Sequence, residues 1–126
     1  MIFAAAGLFS FLTLVVCVFQ AALVAGAPWG EFTQGGRWPG QLPRPGRIIA
    51  AVSILLLSVF AAIVLTRSGF AFARFAALSR SLIWIVVAYF VLGTLAHIAT
   101  PSRRERLVWL PVIVTMLALS FFVALS

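Results

Sequence analysis

Acid–base chemistry in this chain has three side chains to draw on, Glu31, Glu105 and the single histidine His97, since aspartate and lysine are absent. Glu31 is followed by Arg37, and His97 stands shortly before a segment that holds Arg103 and Glu105. These five residues form one candidate polar cluster if the fold returns both segments to the same end. An ionisable group inside an apolar helix is a functional candidate by default, and imidazole is the side chain best suited to proton transfer. The competing reading is structural. Glu31 then pins its own segment through a neighbouring arginine, and His97, with Thr94 one turn before it, hydrogen-bonds another helix.

Other chemistries lack the residues they need. Metal centres draw on several His, Cys, Asp or Glu ligands, and one histidine with two acids is a thin supply. There is no Ser-His-Asp arrangement, GxGxxG fingerprint or P-loop. Cys17, the only cysteine, excludes an intrachain disulfide and a CxxC redox pair, and among Leu14, Val15, Val16 and Val18 it reads as a small buried hydrophobe. No residue is assigned a catalytic role, and neither a cofactor nor a metal is expected.

The elements that must position the cluster follow from composition. The 126 residues are 64% hydrophobic and 9% charged, against about 45–50% and about 25% in soluble domains. A soluble fold is excluded on that comparison. Four apolar runs, Ile2 to Ala25, Ile48 to Thr66, Ser81 to Ala99 and Leu107 to Ser126, are long enough to cross a bilayer. Backbone groups in lipid must be satisfied within each segment, so the runs are expected to be helices. The expected fold is an all-α four-transmembrane-helix bundle in one domain, with helices over 2–25, 48–66, 81–99 and 107–126. Small residues at helix contacts are expected at Ala4, Ala5, Ala6, Gly7, Ala61, Ala62 and Gly93. Pro111 then falls in the first turn of the last helix, where proline is tolerated. Ala25-Gly26-Ala27 resembles a signal cleavage site, but no basic region precedes the first run and Pro28 follows the cut, so the run is read as a retained helix.

Between the first two runs lies Gly26 to Arg47, GAPWGEFTQGGRWPGQLPRPGR, too polar and too broken by glycine and proline to lie in lipid. With Trp29, Phe32 and Trp38 between the breakers, it reads as a structured cap over 26–47. Arg67 to Arg80 admits two readings, a short amphipathic segment lying in the interface or an early start of the third helix.

The net charge is +7. A nucleic-acid binder gathers its charge on a soluble face, whereas these arginines fall between apolar runs, where side chains meet headgroups. Arg44, Arg47, Arg67, Arg74, Arg80, Arg104 and Arg106, with Trp29 and Trp38, are read as lipid-headgroup or interface residues, and membrane lipids as partners without nucleic acid. Six arginines lie in the first and third loops against three in the second, so the positive-inside bias places the long loop in the cytoplasm and both termini outside.

The GAPWGEFTQGG stretch with its proline and arginine continuation, together with PSRRERLVWLPV, resembles a family of small four-helix bacterial membrane proteins of unassigned function. The resemblance covers nearly the whole chain and implies a bacterial cell membrane and four spans, with no substrate or catalytic residues. Small multidrug antiporters, by contrast, need an acid in the first helix, and small fluoride channels a TTFSTF-like break in a late helix; neither is present here.

The expected role is non-catalytic: an accessory, scaffold or self-associating subunit that holds another membrane protein, a second copy or lipid headgroups. The alternative is a transporter or channel for a small or anionic molecule, working as a homo-oligomer, with Arg37, Arg47 and Arg103 at an entrance and Gln20, Thr94 and His97 in a polar cavity. A third reading, a lipid-headgroup enzyme, would use Glu31 and His97 as acid and base.

Overall fold

The computed structural model describes residues 1–70 and 72–126. Four long helices, α1 (Ile2–Val24), α2 (Arg44–Arg67), α3 (Ala76–Ala99) and α4 (Arg103–Leu125), account for most of the chain, and no strand occurs among the described residues. The fold is an all-α four-helix bundle. Each helix packs on its neighbours in sequence and α1 closes the ring on α4, while α2 and α4 meet little across the diagonal. All four are long and apolar enough to cross a membrane.

Three helices start earlier than hydropathy alone indicates, because end chemistry and not apolarity sets a helix start. In α2 the N-cap is the extended Pro43, and Pro45 lies within the first turn, where its missing N–H would have no intrahelical partner anyway. In α4 the N-cap is Ser102, whose hydroxyl accepts the Glu105 N–H at 3.2 Å. Pro111 is therefore an interior residue and not a first-turn one, and it withdraws a donor from the Leu107 carbonyl. Between α2 and α3, Gly69 and Phe72 take positive φ and a 3-10 turn covers Ala73–Phe75. The Arg74 guanidinium lies 5.3 Å over the Phe75 ring, and α3 begins at Ala76, ahead of the expected Ser81, as the early-start reading has it. Ala71 lies outside the described residues.

The core is built on Phe9, Phe60, Phe90, Ile83, Val64, Val86, Met116 and Val123. Phe9 meets Phe90 edge-on at 5.5 Å between centroids, the favoured aromatic geometry. Ala5 and Ala6 are buried at this contact, whereas Ala4 and Gly7 face outward. Outside the ring, Leu55, Leu92 and Leu125 are each about two-thirds exposed, an outward apolar surface that suits lipid as the solvent. Hydroxyls turn back on their own helices, as in Thr13 to Phe9 O at 2.9 Å and Thr94 to Phe90 O at 2.7 Å, which satisfies them without water.

Gly93 lets α3 approach α4: a Cβ there would stand 2.7 Å from Ile113 Cδ1. Because that atom ends a flexible side chain, Gly93→Ala should destabilise by about 1–2 kcal/mol through overpacking. Adding Ile113→Val should restore most of the loss in a thermal-unfolding comparison in detergent.

Candidate functional site

The segment between α1 and α2 folds into a cap over one end of the bundle. Two 3-10 turns, Gly30–Phe32 and Gln34–Gly36, give it local order. Its two limbs are joined where the Gly30 N–H donates to Gly40 O at 2.8 Å. Beneath it Leu42 is buried with Leu23 and Ala50, and Trp38 packs against this second small core. The Trp29 ring stacks on Phe19 of α1 at 6.1 Å. Cap and bundle thus share apolar contacts, which is why a glycine- and proline-rich segment holds one shape.

The polar anchor of the cap is Glu105, in the first turn of α4 and buried. In a capping box the carboxylate at this position returns to the N-cap N–H. Here the Ser102 N–H instead donates to Thr100 Oγ1 at 3.3 Å, and the carboxylate reaches the cap. Glu105 Oε2 accepts the Gly35 N–H at 2.8 Å and the Thr100 hydroxyl at 3.4 Å. Glu105 Oε1 lies 3.6 Å from His97 Nε2. The other imidazole nitrogen, Nδ1, is 2.8 Å from the Gly93 carbonyl, which only accepts, so Nδ1 carries the hydrogen. Nearby, Gln34, at a positive φ, donates through Nε2 to Gly46 O at 3.0 Å.

The five candidate residues therefore divide. His97 and Glu105 meet inside, and Glu31 pairs with Arg104 on the exposed rim at 2.6 Å, its carbonyl accepting the Ser102 hydroxyl at 2.5 Å. Among the described residues no ion pair joins Glu31 to His97, and the carboxylate beside His97 is that of Glu105. Arg37 is exposed and stacks 4.2 Å over Trp38, and Arg103 is exposed. Of the interface arginines, Arg47 donates to Leu42 O at 2.8 Å, Arg106 to Ile98 O at 3.3 Å, and Arg67 to Ser126 O. Arg44, Arg74 and Arg80 are exposed.

Below the cap the four helices leave a cavity of about 250 Å³, somewhat smaller than the roughly 300–1,000 Å³ of drug-sized sites. Its polar side chains include His97, Glu105, Gln20 and Gln34, with the hydroxyls of Thr33, Ser53 and Tyr89 and the Trp109 indole. Thr94 is not in the wall, because its hydroxyl is turned back on its own helix. Three wall residues carry a polar atom closed to solvent and without a hydrogen-bond partner: Gln20 Oε1, Gln34 Oε1 and Trp109 Nε1. Leaving such groups unpaired costs about 1–3 kcal/mol each. The described residues contain no group of three metal-ligating side chains.

Sequence reasoning missed Gln34, Gly35, Thr100, Ser102 and Trp109 as parts of this site. One signal was available: Ser102-x-x-Glu105 before an apolar run is a capping-box pattern, and it marks both the start of α4 and the residue that holds the cap.

No family model, curated protein or solved structure matches the chain.

Proposed function

We propose that this chain is a non-catalytic protein of the bacterial cell membrane that crosses the bilayer four times and receives a small solute in the capped cavity, as a transporter or channel subunit does. The observation that supports this most directly is the cavity itself, a space inside an apolar bundle whose wall includes Glu105, His97, Gln20 and Gln34. An inert scaffold needs no such space. The cap lies on the cytoplasmic side and both termini outside, in keeping with the arginine balance. An accessory role is the second reading. It draws on the exposed Trp29, Arg37, Arg44 and Arg103 around the cap, a surface suited to headgroups or a partner.

The test is water access. With Cys17 replaced by serine, a cysteine at Val112 in the cavity wall should react with a small water-soluble methanethiosulfonate, while one at the outward Leu92 should not. Equal inertness at both positions would end the solute-binding reading. A third cysteine, at exposed Gln41 in the cap, should be labelled in intact cells only after permeabilisation; labelling without it would invert the orientation.

A further inference from the structure

The wall of the cavity carries one carboxylate, no guanidinium and five aromatic side chains, and from this we infer that its ligand is a small organic cation with N–H donors, an ammonium or protonated amine. The inference rests on the solute-binding reading above.

Glu105 is the one acid that lines the cavity. Its Oε2 is committed to Gly35 and Thr100, while Oε1 has His97 Nε2 as its neighbour at 3.6 Å, beyond hydrogen-bonding distance. With Nδ1 donating to Gly93 O, the neutral imidazole presents Nε2 as a lone pair. Two acceptors then stand side by side, close enough for one ammonium group in the cavity to donate to both. Gln20, Gln34 and Trp109 stand beside them in the wall.

The apolar part of the wall carries the same preference. Phe19, Phe32, Tyr89, Phe90 and Trp109 line the cavity, and ring faces attract cations. None of the lining residues is an arginine. Of the three arginines expected at an anion entrance, Arg37 and Arg47 are engaged on Trp38 and Leu42 O, and Arg103 is exposed outside the wall. An anion would meet a carboxylate with no guanidinium to offset it.

An ammonium group can arrive on a free amine or on an aminophospholipid headgroup. The experiment uses the full chain in phosphatidylcholine nanodiscs, with equilibrium dialysis of radiolabelled ethylammonium, and of acetate and inorganic phosphate at matched ionic strength. Saturable binding of about one ethylammonium per chain is expected, weakened at least tenfold by Glu105→Gln and unchanged by Arg80→Gln at the opposite end. Glutamine keeps an acceptor for the Gly35 N–H, and circular dichroism reports whether the variant folds. If it does not, Phe19→Leu serves instead: it should weaken ethylammonium severalfold and leave the Glu105 contacts in place. Competition by added phosphatidylethanolamine would identify the headgroup as the source, and its absence a free amine; either supports the cation site. Saturable acetate or phosphate binding in place of ethylammonium would overturn the cation class and leave the solute-binding reading intact. No binding of any probe, with the cysteine at Val112 labelled, would overturn the cation class alone; with that cysteine inert as well, both readings fall.

Discussion

Alanine at Gly30 should open the cap. A Cβ at this position would lie 1.8 Å from Trp38 O and 2.7 Å from Gly40 O. Both atoms are backbone, so neither can swing aside as a side chain does. The same residue donates the hydrogen bond to Gly40 O that joins the two limbs of the cap, and the added methyl pushes against that closure. Overpacking typically destabilises by about 1–3 kcal/mol, and with only backbone to yield, the upper end of that range is expected. The bundle, whose core lies below the cap, should keep its helicity. Proteolysis within 26–47 and labelling of a cysteine at Val112 should both become at least tenfold faster. Two glycines provide the comparison. Gly7 has nothing within 4 Å of its would-be Cβ, so alanine in this helix should be neutral or stabilise by up to about 1 kcal/mol. Gly40 has open space but a φ of 81°, and alanine there should cost about 1–2 kcal/mol through left-handed strain alone. Protection of Gly30→Ala as complete as that of Gly7→Ala would show that the limbs are not closed as described.

Removal of the Glu105 carboxylate should be the most damaging change at a polar residue. Glu105→Ala leaves the Gly35 N–H, the Thr100 hydroxyl and the inward face of His97 without their shared partner. Hydrogen bonds to a charged group are worth about 1.5–3 kcal/mol each, and a stranded buried donor costs about 1–3 kcal/mol, so a loss of about 3 kcal/mol is expected in denaturant or thermal unfolding in detergent. Glu105→Gln, which retains an acceptor for Gly35, should lose about 1 kcal/mol. The Glu31–Arg104 pair is shorter, at 2.6 Å, yet lies on the exposed rim. Exposed pairs contribute about 0–1 kcal/mol, so Arg104→Ala should barely register. An equal effect of Glu105→Ala and Arg104→Ala would mean that burial does not rank these contacts and that the cap is held by its apolar underside alone.

Both expectations concern contacts that no local pattern in the chain announces. The apolar helices were legible because hydropathy sums over a whole run and lipid leaves the backbone no alternative. Their ends were less so. Ser102-x-x-Glu105 carried the start of α4 in plain view, but Arg103, Arg104 and Arg106 made that turn look like loop. The cap was readable as structured from Trp29, Phe32 and Trp38, since tryptophans in a glycine-rich segment want an apolar surface. That His97 and a carboxylate would meet was readable only as convergence of the first and third loops. Which carboxylate was not: Glu31 and Glu105 are alike in sequence, and differ in that one lies on the rim and the other against the cavity.

Composition and segment length were enough for an all-α bundle of four apolar helices, for the end at which its cap and polar residues gather, and for the scarcity of ionisable side chains. The packing of the helices was needed to see that Glu105 joins His97 to Gly35, 70 residues before it, that arginine stays out of the wall, and that a cavity with a few polar side chains remains among the helices. These depend on where separate backbones stand relative to one another, and side-chain type and spacing along one helix do not encode the space left between four of them.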